Sequence, residues 1–324
     1  MNRILILGGG VGGTLVANLL VKRLRRPIDD GDVTLTVVDS KGSHVYQPGF
    51  MYIAMGGERA ERLARPERSL LDRRVRLVVG DVVRIAPESH VVELADGQWL
   101  GYDHLVLATG SRIVPEAIEH FAREAHHFYS AEAALKLRHA LDAFTGGRIV
   151  VGIAGMPYKC PPAPLEVAFL MEAELRERGL RDRSELHFCS PIGRAFTIES
   201  VSDMATPILA QKGIELHTFF NVETIDPERK VVQSLEGEEL PYDLLILVPP
   251  HKGAQVLIDA GLAPAPGGWL PTDRHTLEVG DGKGTLLQFD YDHPPNPPKP
   301  NRFWHLGKVV FNKTYWHTVP KGRV

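Results

Sequence analysis

The sequence predicts an α/β chain made of two Rossmann-like dinucleotide-binding domains, and three observations carry that prediction. A short apolar strand, Arg3 to Leu7, runs through Gly8-Gly9-Gly10-Val11-Gly12-Gly13 into a helix with Leu15, Val16, Leu19, Leu20 and Leu24 at helical spacing. A second apolar strand, Val33 to Val38, then ends on Asp39, which completes a βαβ unit. A weaker copy of the same features follows in the same order about one domain later.

The first domain continues with short strands at Val75 to Val79, Val82 to Ile85 and His90 to Leu94, with Asp96-Gly97 as a turn between strand runs. Tyr102-Asp103-His104-Leu105-Val106-Leu107 then leads into Ala108-Thr109-Gly110. In the copy, Arg148 to Gly152 matches the first strand, and Glu185 to Cys189 matches the second. Val231 to Leu235 and Tyr242-Asp243-Leu244-Leu245-Ile246-Leu247 match the later ones, with Tyr242-Asp243 in the place of Tyr102-Asp103. Pro264, Pro266, Gly267 and Gly268 mark a connection, and the Pro294 to Pro300 run is extended.

A length of 324 residues suits two domains. The 44% hydrophobic and 24% charged content excludes a disordered or fibrous chain. A net charge of -3 argues against a dedicated nucleic-acid binder. Two cysteines, Cys160 and Cys189, cannot form a disulfide scaffold or a cysteine-rich metal site, and the histidines show no H-E-x-x-H spacing, so no metal is expected. No apolar run reaches the roughly 18 residues of a membrane-spanning helix. The apolar stretch after Met1 is too short for a signal peptide, which leads us to expect the cytoplasmic side of a membrane or the cytoplasm.

Gly8, Gly10 and Gly13 form G-x-G-x-x-G. The first glycine permits the turn out of the strand, the second lets a pyrophosphate approach, and the third lets helix and strand pack closely. The phosphates then meet the N–H groups at the helix start, and Asp39 can accept from a ribose hydroxyl. The copy has lost this signature. Its loop reads Gly152-Ile153-Ala154-Gly155-Met156-Pro157, and Cys189 in Phe188-Cys189-Ser190 takes the place of Asp39. A nicotinamide donor is therefore not expected in the second domain. Instead it carries Tyr158-Lys159-Cys160-Pro161-Pro162-Ala163-Pro164-Leu165-Glu166 ahead of a helix over Leu165 to Arg176. A lysine neighbour and a helix N-terminus both favour thiolate at Cys160, whereas Cys189 reads as buried and inert.

Together the glycine loop, His44-Val45-Tyr46-Gln47-Pro48-Gly49, the Ala-Thr-Gly segment, Gly155-Met156-Pro157-Tyr158-Lys159-Cys160-Pro161-Pro162 and Leu247-Val248-Pro249-Pro250-His251 resemble the sulfide:quinone oxidoreductase family and its flavocytochrome c sulfide dehydrogenase relatives. The resemblance implies a glutathione-reductase-like FAD/NAD(P)-binding fold with an amphipathic C-terminal tail. Its implied domains are an FAD-binding part at 1–117, a second Rossmann-like domain with the redox cysteine at 118–250, a return to the first at 251–289, and a membrane-associating tail at 290–324. It implies FAD held by Gly8, Gly10, Val11, Gly12, Gly13, Asp39, Ser40, Tyr46, Gln47, Pro48, Val83, Ala108, Thr109 and Gly110. Catalysis is implied at Cys160, with Lys159 beside it and Glu166 relaying protons.

The implied function is oxidation of sulfide, or a related sulfur species, at the cysteine, with electrons passing through FAD to a membrane quinone. A homo-oligomer is compatible with this, and nucleic acid is not an expected partner. Two other readings stay open: a type II NADH:quinone dehydrogenase, which would need a second glycine cradle, and an impaired flavoprotein-fold binding protein.

The chain departs from the family twice. Ser111 to Tyr129 holds no cysteine where members usually have one. After Val279 the family continues with a strand ending in Gly-Asp, a helix and another redox cysteine, whereas here Gly280-Asp281-Gly282-Lys283-Gly284 follows at once. Either Gly280-Asp281 is itself the flavin motif, although no apolar strand precedes it, or the stretch is absent and the first domain lacks a central strand. From His293 onward six basic residues (Lys299, Arg302, Lys308, Lys313, Lys321, Arg323) mix with Phe303, Trp304, Phe311, Tyr315 and Trp316, without an acid. Such a segment, 303–319, suits a peripheral foot on a membrane surface, and its alternative is docking on its own protein.

Overall fold

The computed structural model describes residues 1–273 and 277–279 in full and the backbone of 286–288. The Gly280-Asp281 motif and the 290–324 tail lie outside the described residues. The chain divides into two compact units. Unit 1 holds Met1–Val45, Ala64–Arg112 and the described residues from Lys252 onward, and unit 2 holds Tyr46–Leu63 and Ile113–His251.

Unit 1 is built on β1 (Asn2–Leu7), α1 (Val11–Arg23), β2 (Val33–Asp39) and β3 (Val75–Val79). A small antiparallel sheet follows from β4 (Val82–Ala86), β5 (Val91–Leu94) and β6 (Trp99–Gly101), and the chain re-enters the parallel sheet at β7 (His104–Leu107). Strand β1 pairs in parallel with β2 on one side and β7 on the other, and β2 pairs with β3. Both faces of β1 are covered, so it reads as an unbroken apolar run. Ile4 and Ile6 pack with Val16, Ala17 and Leu20 of α1, while Leu5 and Leu7 pack with Ile85, Val92, Leu94 and Leu257.

The far side of β7 is paired in parallel by Leu286–Gln288, with Leu286 opposite Leu105 and Gln288 opposite Leu107. Among the described residues, a strand from beyond Val279 thus occupies the place beside β7. An open edge beside β7 would expose a row of unpaired N–H and C=O groups, and this pairing satisfies them.

Unit 2 contains α2 (Gly49–Ala54), β8 (Ala125–His126), α3 (Ala131–Ala143), β9 (Gly147–Ile153) and α4 (Ala163–Glu177). These are followed by β10 (Ser184–Cys189), β11 (Ile214–His217), β12 (Val222–Asp226), β13 (Val231–Ser234), β14 (Glu239–Pro241) and β15 (Leu244–Val248). The parallel sheet has the order β8-β15-β9-β10-β11, and β12, β13 and β14 form an antiparallel sheet. Ser130 caps α3 by accepting from the Ala133 N–H at 3.2 Å.

The 46–63 segment joins this unit through local packing. A Cβ on Gly49 would run into the Leu63 side chain, and one on Gly56 would lie 3.5 Å from Arg138.

The internal repeat is visible atom by atom. The Arg3 N–H donates to Asp103 Oδ2 at 2.7 Å and the Asp103 N–H returns a bond to the Arg3 carbonyl at 2.9 Å. The Arg148 N–H and Asp243 make the same exchange at 2.7 and 2.8 Å. His90 and Lys230 both adopt left-handed backbone, and each carbonyl accepts from the N–H of the following tyrosine, Tyr102 or Tyr242. His90 stacks on Tyr102 with centroids 5.5 Å apart, and the Lys230 ammonium sits 5.7 Å from the Tyr242 ring centre.

This register corrects one sequence match. Arg3 pairs with Thr34 and Arg148 with Glu185, so Asp39 corresponds to Ser190, and Cys189 corresponds to the buried Val38. The absence of a carboxylate at that place stands. Cys189 is fully buried, and burial pushes its thiol well above the ordinary range.

Candidate functional site

In unit 1 the glycine loop is shaped by contacts that leave little choice of residue. Gly8 has φ +105°, and a Cβ there would strike the Ala108 carbonyl. A Cβ on Gly13 would strike the Gly8 carbonyl. Gly10 differs, because a Cβ there would meet nothing within 4 Å. It caps α1, whose first turn carries no acidic residue, so the helix N-terminus keeps its positive potential. Val11 is exposed and Gly12 half-buried at that same end.

Asp39 faces the loop. Its Oδ2 accepts from the Gly9 N–H at 2.9 Å, and its Oδ1 accepts from the Lys41 and Gly42 N–H groups at 2.9 and 2.7 Å. Three backbone donors fix the carboxylate and leave it acceptor capacity for a hydroxyl. Ser40 beside it is exposed. Ala108 closes the loop from β7, with its N–H donating to the Leu7 carbonyl at 2.8 Å, and Thr109 and Gly110 follow. Val83 lies exposed on β4. Thus the structure gathers Gly8, Gly10, Gly13, Asp39 and Ala108 at one end of the sheet.

Sequence reasoning missed what lies beneath the loop. Glu67 is completely buried. Its Oε1 is 2.6 Å from the Thr14 hydroxyl and its Oε2 is 3.1 Å from His44 Nδ1. Both of those groups also approach the Gly9 carbonyl, at 3.0 and 3.1 Å. A buried carboxylate so partnered holds the loop backbone from below. Residues 14, 44 and 67 carry no spacing that would reveal this.

In unit 2, Cys160 is exposed and has φ +61°, a conformation unusual for a residue with a side chain. It precedes α4 directly, and its carbonyl accepts from the Ala163 N–H at 3.0 Å. The helix begins at Ala163, two residues earlier than the sequence pattern placed it, with Pro162 at the cap where a missing N–H costs nothing.

Lys159 reaches Gln47 Oε1 with its Nζ at 2.9 Å, so two predicted site residues 112 positions apart meet. Tyr46 is exposed, Pro48 caps α2, and Glu166 is exposed in the first turn of α4. The Lys159 carbonyl accepts from the Tyr129 hydroxyl at 3.0 Å.

Tyr129 in turn meets His251 edge-on, with ring centres 5.0 Å apart. His251 Nδ1–H donates to the Pro249 carbonyl at 2.8 Å, while its buried Nε2 has no partner among the described residues. Burial outweighs that bond and lowers the His251 pKa to about 4, and burial with His126 nearby does the same for His127. Neither Tyr129 nor His251 was assigned a role from sequence.

Comparison with known proteins now bears on this geometry. The family model described as pyridine nucleotide-disulphide oxidoreductase matches residues 2–277. The chain belongs to the pyridine nucleotide-disulphide oxidoreductase family. The mitochondrial sulfide:quinone oxidoreductase of Mus musculus is 26% identical over 286 residues, covering 85% of this chain and 62% of that protein. The sulfide-quinone reductase of Aquifex aeolicus is 26% identical over 269 residues, covering 80% and 60%. This family member therefore spans about three fifths of the length of those curated relatives. The solved sulfide:quinone oxidoreductase from Aquifex aeolicus superposes with a TM-score of 0.77 at 21% identity, over 98% of this chain and 77% of that one, which confirms the two-lobed α/β fold. Among the described residues no helix is long and apolar enough to cross a membrane.

Proposed function

We propose that this chain is an FAD-dependent oxidoreductase that oxidises sulfide, or a related sulfur species, at Cys160 and passes the electrons to a membrane quinone. The observation that carries the proposal is the division of labour between two lobes of one design. One keeps a dinucleotide cradle, and the other has filled that place and presents an exposed cysteine before a helix. The names of the relatives at 26% identity point the same way.

The residues of unit 1 fit FAD. Gly10 leaves open space for a pyrophosphate, the first N–H groups of α1, from Val11, Gly12 and Gly13, would donate to it, and Asp39 would accept from the ribose. Ser40, Val83, Ala108, Thr109 and Gly110 complete the proposed cofactor set within unit 1. FAD, when bound, supplies an acceptor for two electrons that a quinone can empty.

The protein's own part is sulfur chemistry. With bound FAD as the two-electron acceptor, the Cys160 thiolate and hydrosulfide would join into a cysteine persulfide, and the hydrosulfide proton would be released. The positive end of α4 and the Lys159 ammonium stabilise the anionic sulfur on both sides of that step. Gln47 holds the ammonium in place. Glu166, exposed on the first turn of α4, takes up the released proton.

Replacing Cys160 by serine tests the assignment directly. Sulfide-dependent quinone reduction should vanish while the flavin spectrum persists, and unchanged turnover would overturn it.

A further inference from the structure

Unit 2 carries a second cluster of potential ligands, on the edge of its parallel sheet. His187 of β10 is paired across the sheet with Glu215 of β11, and His217 lies two residues further along β11. His187 Nδ1 is 2.9 Å from His217 Nε2. The Glu215 carboxylate is 3.5 Å from His187 Nδ1 and 3.8 Å from His217 Nε2. All three ligand atoms lie within 4.8 Å of one another. Ligands bonded tetrahedrally to zinc at its usual distances stand roughly 3.3 Å apart, so a small shift of the exposed Glu215 carboxylate brings the three groups to the size of one face of such a site.

The protons make the stronger argument. His217 Nδ1 is 2.6 Å from Glu238 Oε1, which accepts its proton and leaves Nε2 with a lone pair. Without a cation, His187 must then donate from Nδ1 to that lone pair. Its own Nε2 is left as a bare acceptor, and that atom is buried with no partner among the described residues. His187 is 7% exposed, so the unmet atom is a real cost. A divalent cation removes the conflict. Both facing lone pairs bind it, and the His187 proton moves to Nε2, where Glu185 Oε2 waits at 3.7 Å. Each imidazole then has a carboxylate behind it, the arrangement that orients metal-bound histidines.

We infer that His187, His217 and Glu215 form a binding site for a zinc-like divalent cation, with Glu238 and Glu185 as supporting carboxylates and a fourth position open to solvent beside the exposed Glu215. The site ties edge strand β11 to β10. It escapes a sequence search because its ligands come from two strands and not from one helix.

The test is titration of chelator-treated, tag-free protein with Zn²⁺ and with Co²⁺, in the Cys160→Ser background so that the exposed thiol does not compete. One equivalent should bind, and Co²⁺ should give the intense visible absorption of a tetrahedral centre. Glu215→Gln, a surface change that leaves the fold alone, should weaken binding at least tenfold, and His217→Ala should abolish it. Glu238→Gln should weaken it about 10- to 100-fold by loosening His217. Absence of one-to-one binding, or binding that Glu215→Gln and His217→Ala leave unchanged, would overturn the site in favour of a plain histidine–histidine hydrogen bond. None of these readouts depends on sulfide oxidation.

Discussion

The two units share a frame and differ in what they place at its end. In both, an aspartate after a tyrosine clamps the first residues of the first strand, and the third strand crosses back beside it with the same register. Aligned on that clamp, Gly8, Gly9, Gly10, Val11, Gly12 and Gly13 face Ile153, Ala154, Gly155, Met156, Pro157 and Tyr158. Only the Gly10 and Gly155 pair survives. Gly10 looks into open space, while a Cβ on Gly155 would lie 3.0 Å from the Pro250 side chain. The strands, held by backbone bonds and buried on both faces, tolerate little change. The loops beyond them answer only to what they bind, and here they have diverged.

The sharpest way to break this comparison is to add one methyl group to each loop. Gly13→Ala forces a Cβ into the Gly8 carbonyl and Gly8→Ala forces one into the Ala108 carbonyl at φ +105°. Either should cost about 3 kcal/mol or more, because backbone on both sides cannot yield. Gly155→Ala meets Pro250, its ring at 3.0 Å and its Cα at 3.2 Å, a contact that a few tenths of an ångström relieve, and should cost about 1 kcal/mol. Thermal or denaturant unfolding measures all three, and equal costs in both loops would refute the contrast.

Next in size is Glu67→Ala. It leaves the Thr14 hydroxyl and His44 facing an empty buried space, and should cost about 2–3 kcal/mol in denaturant unfolding. A change below about 0.5 kcal/mol would show that the loop does not lean on this network.

Glu67 also marks where sequence reading stops. Strand β1, its glycines and Asp39 were legible because their pattern is local: a period of two, a turn, a helix. The contact of Glu67 with Thr14 spans 53 residues, and that of Lys159 with Gln47 spans 112, so no local pattern records them. The one-residue error at Cys189 has a related cause. An apolar strand can slide in a sequence match, and only the paired register fixes which residue stands opposite which. Leu286–Gln288 was unreadable for the same reason, since a short apolar run does not say which strand edge it will complete.

Tyr242 and Tyr102 probe the hairpins behind the loops. The Tyr242 hydroxyl donates to buried Glu124 at 3.1 Å, and Lys230 and Arg123 bind the same carboxylate. Burial alone would raise the Glu124 pKa, but these three donors outweigh it and hold it at about 2. That stabilisation is present above the ordinary value of 4.5 and is lost as pH falls toward about 2. Tyr242→Phe should therefore cost about 1–2 kcal/mol at neutral pH and flatten the acid limb of a stability profile. Tyr102→Phe, whose ring packs on His90, should cost less than about 0.5 kcal/mol and leave that limb unchanged. Reversed sensitivities would show that the Glu124 network does not set the difference between the two hairpins.

Only a small structural effect is expected at Gly10, and it separates architecture from ligand. Gly10 has φ -72°, which alanine adopts freely, and a Cβ there meets nothing. Gly10→Ala should cost no more than about 1 kcal/mol, the loss of a glycine helix cap. If the open space exists for a pyrophosphate, the added methyl group occupies it, and the purified variant should retain far less flavin than the parent at nearly equal melting temperature. Gly155→Ala provides the matched control, because the copy has already given up that space: it should lose some stability and no flavin. Full flavin retention in Gly10→Ala would show that the cradle is only a turn.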